Sequence, residues 1–202
     1  MTTTSNDDKS ARLAALKAKM QADAKKSFDG KKDSQDFWQV QNGESKVRLL
    51  QHPNDASPIF THFNHALEIN GKWFIEDCPG CIGLLCPCCE LGVERKEYSV
   101  SNVFVIAPQA GAIQWWKYGG QVLSRIVEAA ENGLDAFDPI AGATLLVTKP
   151  RYENSRFLAP SALGTEEQIA AVLARTKPLR TMLNLKSYAE LQTKYHQMGG
   201  KQ

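Results

Sequence analysis

The cysteines of this chain are concentrated in one short stretch. All five lie between Cys78 and Cys89, and none lies elsewhere in the 202 residues. A disulfide scaffold spreads its cysteines so that they join distant loops, whereas an odd number of closely spaced thiols is typical of metal ligation. The spacing therefore predicts a metal site, and it disfavours the alternative in which these thiols are only buried core residues.

Two sets of four ligands fit this spacing. The first combines one histidine with three cysteines: His65, Cys78, Cys86 and Cys89. The second replaces the histidine with Cys81 and is all sulfur, a set that also suits an iron–sulfur cluster. Four protein ligands leave no open coordination position, so either set predicts one structural ion, with zinc as the expected metal. Spacing alone leaves open whether Cys81 or Cys88 replaces a ligand.

A second histidine, His62, lies in the same segment as His65. Side chains alternate between the two faces of a strand, so an odd offset places these imidazoles on opposite faces. His65 is therefore the predicted ligand, and His62 is expected to point away from the metal.

Three short segments place aromatic rings beside cations: residues 95–98, 115–118 and 149–157. Cations follow the backbone of a single-stranded nucleic acid while rings stack on its bases, at about 1–3 kcal/mol per base. The three segments together predict a groove for such a strand. The expected contact residues are Arg95, Lys96, Tyr98, Trp116, Lys117, Tyr118, Lys149, Arg151, Tyr152, Arg156 and Phe157.

The sequence from residue 37 onward has a β-rich pattern that positions these residues. Short apolar runs predict strands at 47–50, 58–69, 72–76, 98–107, 112–118 and 143–149. Asn70-Gly71 predicts a type I′ hairpin, because both central residues of that turn need positive φ. Apolar periodicity predicts helices at 121–131, 165–175 and 187–197. Trp115 and Trp116 alternate in direction, so one of them is expected in the core.

Residues 1–36 differ in composition from the rest of the chain. Residues 9–32 hold eight Lys or Arg against two Asp, and residues 10–26 carry a narrow apolar stripe at helical spacing. We expect a basic arm that orders on an anionic partner.

Composition and charge narrow the class of protein. A hydrophobic content of 43% suits one folded domain, and a net charge of +2 means that any basic surface is local. No stretch reaches the roughly 18 apolar residues of a membrane helix, and the first residues do not form a secretory leader, so we expect a cytoplasmic protein with no membrane partner. No nucleophile elbow, phosphate loop or paired-carboxylate motif occurs, so no enzymatic activity is expected.

Several of these motifs resemble the zinc-binding single-stranded DNA-binding proteins of T-even bacteriophages. The motifs are Asn64-His65-Ala66, Asn70-Gly71-Lys72-Trp73, Cys86-Pro87-x-Cys89 and Trp116-Lys117-Tyr118-Gly119. The likeness extends over residues 37–195, and the block from the Asn-Gly-Lys-Trp turn to the Cys-Pro-x-Cys pair is its most specific part.

The resemblance implies a mostly β (α+β) fold: a five-stranded oligonucleotide-binding (OB) barrel over residues 37–198, with a zinc subdomain at 60–95 and peripheral helices. It implies one structural Zn²⁺ on His65, Cys78, Cys86 and Cys89. It also implies a non-enzymatic protein that coats single-stranded DNA in the bacterial host cytoplasm during phage DNA replication, recombination and repair. The cleft aromatics implied are Tyr98, Trp116, Tyr118, Tyr152 and Phe157.

The amino-terminal arm of that family supports self-association along the DNA, and Lys9-Ser10-Ala11-Arg12 partly resembles its motif. Lys9, Ser10 and Arg12 are therefore expected to contact a neighbouring copy. Residues 199–202 are expected to be a short tail without the acidic segment through which the family recruits replication and recombination proteins, which are possible partners. The alternatives to a DNA binder are a single-stranded RNA binder and a zinc-stabilised protein-interaction module.

Overall fold

The computed structural model describes residues 37–200, so the predicted arm 1–36, with Lys9, Ser10 and Arg12, lies outside the described residues. The strands are β1 (Gly43–Leu50), β2 (Phe60–Ile69), β3 (Lys72–Asp77), β4 (Lys96–Ala107), β5 (Ile113–Tyr118), β6 (Ala143–Lys149) and β7 (Arg156–Pro160). The helices are α1 (Pro87–Glu90), α2 (Gly120–Glu131), α3 (Glu166–Leu173) and α4 (Tyr188–Gln197). Short 3-10 helices occupy Pro79–Ile82, Tyr152–Asn154 and Leu179–Met182.

The strands form one antiparallel sheet in the order β3-β2-β4-β1-β6-β7, with β5 paired to β4. The prediction of a mostly β protein is confirmed. The long strand β4 pairs with β2 along 96–100, with β5 along 99–104 and with β1 along 102–107. It thereby joins the β2–β3 hairpin, which carries candidate metal ligands, to β5, which carries one of the ring-and-cation segments.

The six predicted strands and the three predicted helices of the folded region are confirmed, with small shifts at their ends. Strand β7 was not predicted, because its five residues lack an apolar–polar alternation and end at a proline. The hairpin turn has positive φ at Asn70 (50°) and Gly71 (74°), as a type I′ turn requires. None of the helices in residues 37–200 has the length and apolar character needed to cross a membrane.

Local sequence fixes where the last two helices begin. Thr165 accepts a hydrogen bond from the backbone N–H of Gln168, and the side chain of Gln168 accepts one from the N–H of Thr165. Ser187 and Glu190 form the same capping box at the start of α4. Each box satisfies backbone donors that have no partner within the helix.

Buried residues form three clusters, and the two adjacent tryptophans belong to different ones. The main core lies between the sheet and α2 and includes Trp116, Tyr118 and Val122. A second cluster contains Trp115 and Leu179. The alternation on β5 thus holds as predicted, but both indoles are buried rather than one, because each face of this strand is covered.

The third cluster covers the back face of the β2–β3 hairpin with α4. Phe74 is fully buried there, and the ring of Tyr195 packs against it almost perpendicularly at 5.7 Å between centroids. The buried Glu76 carboxylate pairs with Lys186 and with Lys194. The last helix therefore closes the rear of the hairpin.

Arg48 is a buried cation that links β1 to the two segments flanking the β6–β7 pair. Its Nη1 donates to the carbonyl of Ser161 at 2.5 Å and its Nη2 to the carbonyl of Asp138 at 2.8 Å. We expect Arg48→Met to lower the free energy of unfolding by about 2–4 kcal/mol, since two hydrogen bonds from a charged donor are lost and the carbonyl of Asp138 keeps only the N–H of Gly142. Urea denaturation measures this, with Arg156→Met at an exposed site as the control. A loss below about 1 kcal/mol would show that the carbonyls find other partners.

Candidate metal centre and nucleic-acid groove

Four side chains converge at the open end of the β2–β3 hairpin: His65, Cys78, Cys86 and Cys89. Their ligand atoms all lie within 4.8 Å of one another. The Nε2 atom of His65 is 3.3 Å from Cys86 Sγ and 3.6 Å from Cys89 Sγ, and the sulfurs of Cys78 and Cys89 are 3.4 Å apart. We name these four residues the Cys3His cluster.

Local backbone structure brings the sulfurs together. Cys78 follows β3 and is held to β2 by its N–H, which donates to the carbonyl of Phe63 at 2.9 Å. Pro87 starts the single turn of α1, which places Cys86 and Cys89 at its two ends. Gly80 makes room for the cluster, because a Cβ there would lie 3.2 Å from Cys78 Sγ.

The cluster fits a tetrahedral metal ion. The Nδ1 atom of His65 is 3.1 Å from the carbonyl oxygen of Glu94, which can only accept, so Nδ1 carries the proton and the Nε2 lone pair faces the sulfurs. Burial lowers the pKa of His65 and thus favours the neutral imidazole that ligates metals. Zinc bonds of about 2.0–2.3 Å place tetrahedral ligands about 3.5–3.8 Å apart, close to the separations of 3.3–3.6 Å found here.

Neither Cys81 nor Cys88 belongs to the group of converging ligand atoms in the described part of the chain. Cys88 is fully buried in the third core cluster, between the β2–β3 hairpin and α4, and burial raises the pKa of its thiol to about 12. Burial likewise raises the pKa of Cys81 to about 11. The geometry thus favours the set with His65 over the all-sulfur set.

His62 points to the opposite side of β2, as its odd offset from His65 predicts. Its Nε2 atom pairs with Asp77 Oδ1 at 2.8 Å. Both residues line a cavity of about 590 Å³ on the front face of the hairpin, opposite the face that α4 covers. One strand therefore serves the Cys3His cluster on one side and this cavity on the other.

The cavity gathers side chains from three of the chain segments singled out in the sequence. Its lining includes Tyr98, Trp116, Lys117, Lys149 and Tyr152. A second cavity, of about 430 Å³, shares four of these and adds Tyr118. We call the two adjoining cavities the groove.

Cations and rings are in contact inside the groove. The Lys117 ammonium lies 4.1 Å from the centre of the Tyr98 ring, a cation–π contact. Burial lowers the pKa of Lys117, while the nearby Asp77 carboxylate acts in the opposite direction. Lys149 donates to the carbonyl of Val40 at 2.9 Å. The groove can therefore hold an anion beside flat apolar surfaces.

Comparison with known proteins finds one matching family model and several similar bacteriophage proteins. The family model described as "gp32 DNA binding protein like" matches residues 41–106. The single-stranded DNA-binding protein of Enterobacteria phage T4 is 25% identical over an alignment 237 positions long, which covers 94% of this chain and 77% of that protein. The T2 protein of the same name is also 25% identical, with 94% and 78% covered. That of Escherichia phage SV14 is 32% identical over 100 residues, 46% of this chain and 86% of that protein. The chain belongs to the gp32-like DNA-binding protein family.

The match to the gp32-like family model contains all four members of the Cys3His cluster and also Tyr98. It ends before β5, so Lys117, Lys149 and Tyr152 lie beyond it. The groove is thus built from the matched hairpin and β4 together with residues on both sides of the match, 37–40 before it and later segments after it.

The rings of the groove in this gp32-like protein differ in accessibility. Tyr98 and Tyr152 are half-buried, whereas Trp116 is 2% exposed and Tyr118 4% exposed. Trp116 is covered by the indole of Trp38, whose centroid is 5.1 Å away. The tyrosines at 98 and 152 therefore offer ring faces, and Trp116 and Tyr118 form the floor.

The remaining predicted contact residues lie outside the groove. Arg95, Lys96, Arg151 and Arg156 are exposed, and Phe157 packs against the main core. The guanidinium of Arg95 lies 4.4 Å from the centre of the Phe63 ring. Arg156 and Phe157 line a separate cavity of about 580 Å³ together with Arg125 and Glu128. The structure thus places only part of the predicted set in the groove, and Arg95, Lys96 and Arg151 line neither the groove nor this separate cavity.

Sequence reasoning missed several residues of the front face. Ile75, Asn64 and Trp38 line the groove, and Trp73, two residues before Ile75, is 61% exposed. Alternation along β3 does separate Trp73 and Ile75 from Phe74 and was available from sequence. The sequence did not show which of the two faces is covered, because the covering element is α4, which lies more than a hundred residues away in the chain.

Proposed function

We propose that this protein binds single-stranded DNA without strong sequence preference, in the groove, and that the Cys3His cluster holds a structural zinc ion. The observation that carries the proposal is the contact of Lys117 with Tyr98 at the centre of the groove, with Tyr152 also in its lining. The names of the T4, T2 and SV14 relatives, each a single-stranded DNA-binding protein, support the same function.

In this proposal, bases stack on Tyr98 and Tyr152 while Lys117 neutralises a phosphate of the backbone. Every base has a π face, so stacking tolerates any sequence. Because Lys117 is partly removed from water, its interaction with a phosphate is stronger than that of a fully exposed lysine. Binding releases counterions and should weaken steeply as salt is added.

A zinc ion on the Cys3His cluster would supply folding free energy rather than chemistry. His65 would hold it from β2, Cys78 from just after β3, Cys86 from the residue before α1 and Cys89 from within α1. Four protein ligands leave no coordinated water to activate, so we propose no catalytic role for the ion or the protein.

We also propose the finer features that the resemblance implies. Residues 37–198 would be a variant of the five-stranded OB barrel, with the zinc subdomain at 60–95, and the arm 1–36 would mediate self-association on DNA through Lys9, Ser10 and Arg12. The protein would act in the host cytoplasm in phage DNA replication, recombination and repair. Arg95, Lys96, Arg151, Arg156 and Phe157 would contact the strand only outside the groove.

The deciding experiment is a titration of the full chain with labelled oligo(dT) at low salt. We expect tight binding that is stronger than binding to a duplex of the same length. An RNA oligomer of the same length serves as competitor, since the 2′-hydroxyl distinguishes the two strands. Failure to bind oligo(dT), or equal binding to duplex, would refute the proposal; preference for RNA would favour the RNA-binding alternative.

Replacing the groove lysine tests the position of the strand. We expect Lys117→Gln to weaken oligo(dT) binding about tenfold at low salt and to reduce the slope of log affinity against log salt by about 0.7, the loss of one phosphate contact. Lys46→Gln, at an exposed lysine that does not line the groove, is the matched control. An unchanged slope in Lys117→Gln would place the phosphates elsewhere.

A further inference from the structure

Trp73 is a large aromatic side chain left in solvent. It is 61% exposed, while Trp38 is 5% exposed and Trp115 and Trp116 are each 2% exposed. Its neighbour on the same face, Ile75, is 56% exposed. An exposed indole beside an exposed isoleucine marks a binding surface more often than a structural one.

Trp73 lies on the front face of the hairpin, in line with the groove. Along β3 this face carries Trp73, Ile75 and Asp77, and the last two line the groove. A strand rises about 3.3 Å per residue, so Trp73 lies about 7 Å beyond the rim residue Ile75. The indole therefore stands at the exit of the groove on an uninterrupted sheet surface.

The hairpin beneath Trp73 is rigidly supported. On its back face Phe74 and Glu76 are buried against α4, and Asn70 donates to the carbonyl of Met198 at 3.0 Å. Trp73 is thus held in place by its neighbours in the strand while its own side chain stays accessible. Because the backbone that carries the indole is already ordered, only the side chain of Trp73 loses conformational entropy when a base stacks on it.

Charges around Trp73 indicate how a bound DNA strand would lie. Glu68 is directly opposite Trp73 in the β2–β3 pairing, and Lys72 precedes Trp73. Lys96 is exposed and lies on β4 opposite Asn64, which lines the groove. A carboxylate beside the indole disfavours a phosphate there, so a base rather than the backbone suits this position, while Lys96 is available to a phosphate nearer the groove.

We propose that Trp73 is a further base-stacking platform, which carries single-stranded DNA from the groove onto the β2–β3 hairpin. The proposal rests on the proposed function, because the same strand occupies the groove. It assigns a role to a residue outside the set predicted from the ring-and-cation segments, and it lengthens the binding site along β3.

Tryptophan fluorescence measures the contact directly. Because Trp73 is far more exposed than the other three tryptophans, quenching by acrylamide should report mainly on it. We expect saturating oligo(dT) to protect this fluorescence, and we expect both the quenching and the protection to be largely lost in Trp73→Phe. Acrylamide quenching that oligo(dT) leaves unchanged in the wild-type protein would overturn the proposal.

Affinity as a function of oligonucleotide length supplies an independent measurement. We expect Trp73→Ala to weaken binding of a long oligo(dT) about tenfold, within the range for one lost base stack, with an unchanged salt slope. The shortest oligonucleotides that still bind fill the groove alone and should bind Trp73→Ala as they bind the wild-type protein. Trp73→Phe should retain most of the affinity, because its ring still stacks. Leu85→Ala, at a side chain that is 76% exposed, controls for loss of exposed apolar surface.

The outcomes separate this proposal from the proposed function. Absence of oligo(dT) binding by the wild-type protein refutes the function itself. Wild-type affinity in Trp73→Ala at every length refutes only the extension. A defect confined to polymers that hold several copies, with normal binding of one copy to one oligonucleotide, would make Trp73 a contact between neighbouring copies and would also overturn the proposal. Thermal melting checks that each variant is folded.

Discussion

Cys86→Ala will lose its metal ion and will melt about 8–16 °C below the wild-type protein. The reason is that the proposed zinc ion would join β2, the end of β3 and the segment at α1 through the Cys3His cluster, and its binding free energy would act as folding free energy. Structural zinc in zinc-finger peptides contributes about 10–16 kcal/mol, and even a third of that, about 4 kcal/mol, corresponds to this shift at about 2–4 °C per kcal/mol for a chain of this size. Elemental analysis and differential scanning calorimetry of the untagged protein measure the two effects.

Cys81→Ala is the matched control for the metal site. Cys81 lies outside the converging ligand atoms, so this variant should keep one ion per chain and melt close to the wild-type temperature. Loss of the ion in Cys81→Ala with retention in His65→Ala would show that the all-sulfur set is the true one. A wild-type protein that carries no stoichiometric metal would exclude both sets.

The double variant Tyr98→Ala/Tyr152→Ala will bind oligo(dT) about a thousandfold more weakly than the wild-type protein. Both rings are half-buried in the groove lining, and each lost base stack costs about 1–3 kcal/mol, so two cost about 4 kcal/mol. Tyr98 also faces the Lys117 ammonium, which loses its ring partner. Fluorescence anisotropy at fixed salt measures the affinity.

The double variant Tyr98→Phe/Tyr152→Phe is the control for ring stacking. It keeps both rings and should bind within a few-fold of the wild-type protein, whereas a large loss would mean that the hydroxyls rather than the ring faces make the contacts. Wild-type affinity in the alanine variant would exclude the groove as the binding surface and would direct attention to the cavity at Arg156 and Phe157.

Local signals in the sequence were sufficient for the hairpin and for narrowing the metal ligands to two candidate sets. Asn70-Gly71 determines the turn, and alternation then places His65 and His62 on opposite faces, as the structure has them. The choice of His65 over Cys81 needed three-dimensional geometry, because both fit the linear spacing.

Burial was harder to predict than the order of the elements. Trp116 has the sequence context of a stacking residue, yet Trp38 from the segment before β1 covers it. Trp73 is exposed because α4 packs on the other side of its strand. Both outcomes depend on contacts between distant parts of the chain, which composition and periodicity along a single segment do not contain.

The packing of α4 on Phe74 constrains the order in which the protein can mature during synthesis. The β2–β3 hairpin leaves the ribosome roughly a hundred residues before Leu191 and Tyr195. Its apolar back face therefore stays exposed to solvent while the intervening chain is synthesised. A nascent chain stalled before residue 186 would present that rear surface to chaperones, and only the emergence of α4 would cover it.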